Sequence, residues 1–201
     1  MPSASPLVIN LGSGPLETSR LPGMFKDWRQ IRVDADIAAH PDIVSDIVDL
    51  SKIESGTVSA VWSAHCFEHL YSHQITPTLV EIYRVLNDDG FLCIIVPDLQ
   101  AIAQFLVSDR LHEVIYQSPA GPVTAHDVLF GFGPAIALGH TMMAHRCGFA
   151  PTLLLNRIRE VPFAEIVARR RPNLFELAGV ARKKPARDPD ERAQLLRALE
   201  L

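Results

Sequence analysis

The apolar and polar positions alternate between two periods along the chain. Short apolar runs read as strands: "PLVINLGSGP", "QIRVDAD", the brief "PDIVSDIVDL", "TVSAVWSA" and "GFLCIIVPD". The last is apolar throughout, as in a parallel sheet covered on both faces. A 3.6-residue stripe, Ile75, Leu79, Ile82, Tyr83 and Leu86, predicts a helix. It starts near Thr76-Pro77 and stops at Asn87-Asp88-Asp89-Gly90. Asp98 is placed to cap a further helix with Leu99, Ile102 and Leu106 on one side. Residues 108–150 lose the periodicity and read as a loop-like insertion covering the sheet edge, with His126, His140 and His145 in it. "PTLLLNRIREV" predicts a short helix. Two strands then flank a tight turn at Arg171-Pro172-Asn173 and are therefore antiparallel. The tail from Asp188 carries Leu195, Leu196 and Leu199 on one stripe, a loosely docked terminal helix.

Alternation of strand and helix predicts an α/β fold with a mostly parallel sheet, and the end of the chain adds an antiparallel hairpin. Such sheets bind ligands beyond the carboxyl ends of their strands. Residues 1–183 are expected to form one domain, with 108–150 as a lid over the substrate and 184–201 as a helical tail.

Composition narrows the function. A chain of 201 residues with 48% apolar and 21% charged residues suits one soluble domain. The net charge of −4 argues against wrapping nucleic acid. The three cysteines, Cys66, Cys93 and Cys147, lie far apart and read as thiols of a cytoplasmic protein. No signal peptide and no membrane-spanning run is read.

The chemistry sits where each strand ends. Gly12-Ser13-Gly14 follow the first strand and let backbone approach a ligand. Asp34 follows the second and can accept both hydroxyls of a ribose. After the third, the Asp46 side chain and Ile47 N–H can read an adenine edge, and Ser63-Ala64-His65 follow the fourth. The fingerprint G-x-G-x-x-G fails at Glu17, and neither a Walker lysine nor G-x-S-x-G is present.

Together "VINLGSGP", "IRVDAD", "DIVSDIVDL", "AVWSAHCFEHL", "EIYRVLNDDGFLCIIVPD" and "HRCGF…LFELAGVARK" resemble the class I S-adenosylmethionine-dependent methyltransferases, nearest the type 11 group. The resemblance spans residues 6–183. It implies a Rossmann-like, seven-stranded sheet with an antiparallel strand beside the fifth, and S-adenosyl-L-methionine as cofactor. It assigns Gly12, Ser13 and Gly14 to the methionine part and ribose, Asp34 to the ribose, and Asp46 and Ile47 to the adenine. Ser63, Ala64 and His65 fall beside the reactive methyl. Asn10 stands where the family usually has an acid, so it brings no charge to the cofactor's amino group. The helices flanking the second strand are short. The fourth-strand motif lacks the Asn/Asp-Pro-Pro-aromatic element used on base amines. The expected acceptor is a small molecule or glycan-like compound, and the alternative is a non-catalytic binding protein of the same fold.

His65 and His145 are the candidate catalytic bases, since imidazole titrates near neutral pH. His65, Glu68 and His69 also spell H-x-x-E-H, a zinc-hydrolase signature. Because the motif starts directly after a strand, His65 is expected in a turn and off the helical face of His69. The residue pattern therefore assigns no metal, leaves a zinc-dependent hydrolase through this motif as a third alternative, and takes Glu68 to Leu70 as the first turn of a packing helix. Arg169 to Arg171 read as a solvated turn.

Overall fold

The computed structural model describes residues 5–16 and 21–199. Strands β1 (Leu7–Leu11), β2 (Arg29–Asp34), β3 (Ile43–Val44), β4 (Val58–Ala64) and β5 (Leu86–Pro97) pair in parallel. Two antiparallel strands of a later hairpin, β6 (Val114–Ser118) and β7 (Gly121–Thr124), form a separate small sheet. Strands β8 (Glu165–Arg171) and β9 (Glu176–Arg182) complete the main one, in the order β3-β2-β1-β4-β5-β9-β8. As the tight turn at Pro172–Leu174 demands, β9 runs antiparallel to both β5 and β8.

Period-2 alternation divides the sheet into two faces. Leu7, Ile9 and Leu11 of β1 and Leu92, Ile94 and Val96 of β5 are buried in one core. Helices α1 (Ile75–Val85) and α5 (Pro151–Arg159) cover it through Leu79, Ile82, Leu154 and Ile158. Val8, Ala60, Trp62, Cys93 and Ile95 point to the opposite core. Between β1 and β2 the described residues hold only the 3-10 turn Gly23–Phe25, while Glu17 of the broken fingerprint lies outside them. That turn contributes Phe25, which packs edge-on against Trp28 at 5.1 Å.

Further cover on this face, among the described residues, comes from the far end of the chain. Helix α6 (Pro189–Ala198) is capped by Asp188, whose carboxylate accepts the Glu191 N–H. It buries Leu196, and Leu199 beyond its end is 1% exposed. The tail is thus part of the core, not the loosely docked helix expected from its polar composition. Leu196 and Leu199 join Phe25, Trp62 and Phe91 there and remove further apolar surface from water.

Three local expectations change. The segment after β4 is a pair of 3-10 turns, Phe67–His69 and Ser72–Gln74, before α1 begins at Ile75. Asp98 does cap α2 (Leu99–Val107), accepting the N–H groups of Gln100 and Ala101. The apolar stripe of α2 nevertheless stops at buried Ile102, and Leu106 is 56% exposed. The 108–150 segment is structured: the β6–β7 hairpin leads into α3 (Ala125–Phe130), α4 (Gly133–Ala137) and a turn at Thr141–Met143. Ile102, Val123, Ala125 and Val128 give it a small core of its own. No helix among the described residues is long and apolar enough to cross a membrane.

Candidate functional site

The carboxyl ends of β1, β2, β3 and β4 lie side by side, which brings the strand-end residues together. Gly12 and Gly14 adopt φ of 69° and 60°, a left-handed backbone that glycine takes without Cβ strain. The turn is fastened to β2, because the Gly12 and Ser13 N–H groups donate to the Val33 carbonyl at 2.9 and 3.2 Å. Asp34 is half-buried and accepts the Gly14 N–H at 2.7 Å and the Asp36 N–H at 2.9 Å. Asp46 is exposed past the two-residue β3, and the Ile47 side chain beside it is buried. Asn10 is buried at the end of β1, and Ser63 is fully buried in β4.

Cys66 is where these pieces meet. A Cβ placed on Gly12 would come within 2.1 Å of its Sγ, so the first-strand turn and the fourth-strand turn are in close contact. Burial pushes the Cys66 thiol up, and the negative charges of Glu68, Asp34 and Asp46 push it further. Strands one to four thus contribute to one compact neighbourhood.

Arg32 was not read as a site residue. It is 7% exposed, and its guanidinium donates to the Gly14, Ala39 and His40 carbonyls. It ties the glycine turn to the loop after β2. A charged residue inside the otherwise apolar run "QIRVD" was the available signal, since buried arginine demands partners.

His65 lies in the turn beyond β4, as expected, with a left-handed φ of 51°. Its N–H donates to the Ile95 carbonyl at 2.9 Å. The ring faces two carboxylates, Glu176 from Nε2 at 2.8 Å and Glu68 from Nδ1 at 3.4 Å. Burial works against the charged ring, but hydrogen bonds to Glu176 and Glu68 outweigh it and raise the pKa to about 10. Burial is the largest single influence, and the two carboxylates together exceed it. Glu176 also pairs with Arg171 at 2.9 Å, so Arg171 is not merely a solvated turn residue.

Glu68, His69 and His145 line a cavity of about 230 Å³ under the 114–145 segment, with Tyr116 and Asp127 on its walls. His145 reaches it because the Arg146 and Cys147 N–H groups donate to the Glu68 carbonyl at 2.8 and 3.2 Å. Its Nδ1 meets the Val128 carbonyl at 2.9 Å, and burial lowers its pKa, leaving the ring neutral at neutral pH. His140, by contrast, is exposed.

The topology of one antiparallel strand inserted at the end of a parallel sheet separates this fold from dinucleotide dehydrogenases. Residues 22–94 match the family model of the methyltransferase domain. The chain has the class I S-adenosylmethionine-dependent methyltransferase fold. Solved structures share this methyltransferase fold at low identity. A SAM-dependent methyltransferase from Archaeoglobus fulgidus is 12% identical with a TM-score of 0.57, covering 88% of this chain and 86% of that one. A 1,6-didemethyltoxoflavin-N1-methyltransferase from Burkholderia thailandensis, solved with 1,6-didemethyltoxoflavin and S-adenosylhomocysteine, is 15% identical with a TM-score of 0.52, covering 90% and 72%. A TehB-like SAM-dependent methyltransferase from Corynebacterium glutamicum is 17% identical, with a TM-score of 0.52 and coverage of 90% and 82%. No curated protein matches the sequence. Within the methyltransferase fold, the glycine turn, Asp34, Asp46 and Ser63 to His65 occupy the carboxyl edge of the sheet.

Proposed function

We propose that the protein is an S-adenosyl-L-methionine-dependent methyltransferase acting on a small-molecule or glycan-like acceptor. The observation that supports this most is the convergence at Cys66. Its thiol abuts the Gly12 turn while the carboxylates of Asp34 and Asp46 bear on it. The residues fit the cofactor. Backbone at Gly12 to Gly14 can approach its methionine part and ribose, and Asp34 retains acceptor capacity for ribose hydroxyls beyond its two backbone partners. Asp46 and the Ile47 N–H suit an adenine edge, and Ser63, Ala64 and His65 flank the methyl. Asn10 accepts or donates a hydrogen bond near the amino group without charge.

When bound, the sulfonium supplies an activated methyl group for in-line transfer to a nucleophile. The protein's part is alignment and exclusion of water, worth several orders of magnitude without any dyad. His65, hydrogen-bonded to Glu68 and Glu176, serves in this reading as a positioning cation in place of the general base that its sequence position suggested. The cavity under the 108–150 segment takes the acceptor, and that segment acts as its lid. Cys66, Cys93 and Cys147 are free thiols, in keeping with a cytoplasmic enzyme.

Isothermal titration of the full chain with S-adenosylhomocysteine tests the reading. Binding at micromolar affinity is expected, weakened about tenfold or more in Asp34→Asn, because a hydrogen bond to a charged group contributes about 1.5–3 kcal/mol. No binding by the wild-type chain would remove the catalytic reading and leave the non-catalytic one.

A further inference from the structure

The H-x-x-E-H spelling breaks in the structure, but a different set forms around half of it. His65 is turned toward Glu176, away from a shared helical face. In its place the lid segment delivers His145, and one donor atom each from Glu68, His69 and His145 lies within 4.8 Å of the others. Glu68 is 1% exposed, and its Oε2 is buried with no hydrogen-bond partner. An orphaned carboxylate oxygen is costly, and such a group calls for a ligand.

The two imidazoles are prepared in the same sense. Nδ1 of His69 faces the Ala144 carbonyl at 3.2 Å, and Nδ1 of His145 faces the Val128 carbonyl at 2.9 Å. Each ring therefore donates through Nδ1, and in the neutral tautomer this leaves the Nε2 lone pair for a ligand. This is the outer-shell arrangement that fixes a metal-binding tautomer. The rings meet edge-on with centroids 4.9 Å apart.

We infer that Glu68, His69 and His145 form a binding site for a first-row divalent metal of the zinc type. Two imidazoles and one carboxylate are the donor set of such ions, and three protein ligands leave positions open toward the cavity. Metal–ligand bonds of about 2.0–2.1 Å place tetrahedral donors about 3.3 Å apart, so closure by roughly 1.5 Å at most is required. His145 belongs to the lid segment, so the metal would tie that segment to the turn after β4. A donor atom of the acceptor could fill an open position. That last role rests on the methyltransferase reading, whereas metal binding does not.

The test uses the chelator-treated full chain titrated with zinc chloride by calorimetry, with thermal unfolding in parallel. One saturable equivalent is expected, with a zinc-dependent rise in melting temperature. Glu68→Gln and His145→Ala should each weaken binding at least tenfold and abolish the rise. His140→Ala, on an exposed lid histidine, should change neither. A Cys66→Ser/Cys147→Ser variant should retain binding, since thiols are not ligands here. Absence of saturable binding overturns the inference. So does unchanged binding in both ligand variants, or loss in the double serine variant while that protein remains folded. Failure of S-adenosylhomocysteine binding with zinc binding intact would contradict only the methyltransferase reading.

Discussion

Replacing Gly12 by alanine perturbs the glycine turn in two separable ways. At φ of 69° a Cβ on an L-residue costs about 1–2 kcal/mol. The added methyl would also lie 2.1 Å from Sγ and 2.8 Å from Cβ of Cys66. Neither atom is the end of a long flexible chain, so the turns after β1 and β4 must move apart. Overpacking of this kind costs about 1–3 kcal/mol. The total for Gly12→Ala is therefore about 2–5 kcal/mol. Cys66→Ala removes the nearer clash and leaves the backbone penalty. The double variant should then be less destabilised than the sum of the two single variants, by about 1 kcal/mol or more. Urea unfolding of the wild type, the two singles and the double, followed by tryptophan fluorescence, measures this cycle. Additivity within about 0.5 kcal/mol, or a Gly12→Ala cost below about 1 kcal/mol, would refute the close contact between these turns.

Further outcomes follow from the same packing. Leu196→Ala and Leu199→Ala should each cost about 2–4 kcal/mol, because both side chains are buried against the second face of the sheet; costs below about 0.5 kcal/mol in urea unfolding would mean the tail is only loosely docked. Arg32→Met strands three carbonyl partners, that of Ala39 fully buried, and should destabilise by about 2–4 kcal/mol, with Arg32→Lys rescuing little because one ammonium cannot replace the guanidinium fork; full rescue by lysine in the same assay would contradict this. Asp127→Ala should loosen the start of α3 within the 108–150 segment. That carboxylate accepts the Thr124 N–H, the Thr124 hydroxyl and the Gly133 N–H. Burial alone would raise its pKa, but these bonds hold it below the ordinary 3.8. Its stabilisation is thus present above pH 3.8 and lost as pH falls through the lowered folded value. Amide exchange at residues 124–133 should quicken in the variant at pH 6, and an unchanged rate would count against the capping role.

The sheet was legible because its strands are short, uninterrupted apolar runs ending in glycine or acid; the fifth run alone begins earlier than expected, since β5 starts at Leu86, inside the stripe and stop signal assigned to the preceding helix. The β8–β9 hairpin was equally plain from Arg171-Pro172-Asn173, where the chain can only turn back. The tail was harder. Leu195, Leu196 and Leu199 are a sparse apolar set in a charged stretch, and nothing local shows that they join Phe25 and Trp62 on the second face of the sheet. The 108–150 segment hid its structure for a different reason. Its strands and helices are short and stabilised by contacts with Ile102 and the turn after β4, which no local periodicity records. The strand-end positions of Gly12, Asp34, Asp46 and Ser63 were legible one by one. Arg32 was not, because its role depends on carbonyls from residues 14, 39 and 40. Nor was the exchange of His65 for His145, which depends on backbone bonds between residue 68 and residues 146 and 147.

In the proposed function the carboxyl edge of β1 to β4 holds S-adenosyl-L-methionine. A crystal structure of the protein with S-adenosylhomocysteine tests it most directly. Adenine is expected beside Asp46 and Ile47, ribose hydroxyls on Asp34, and the amino-acid part against Gly12 to Gly14. The sulfur should lie near Ser63 to His65. Electron density for the ligand anywhere else, or none at saturating concentration, would contradict it.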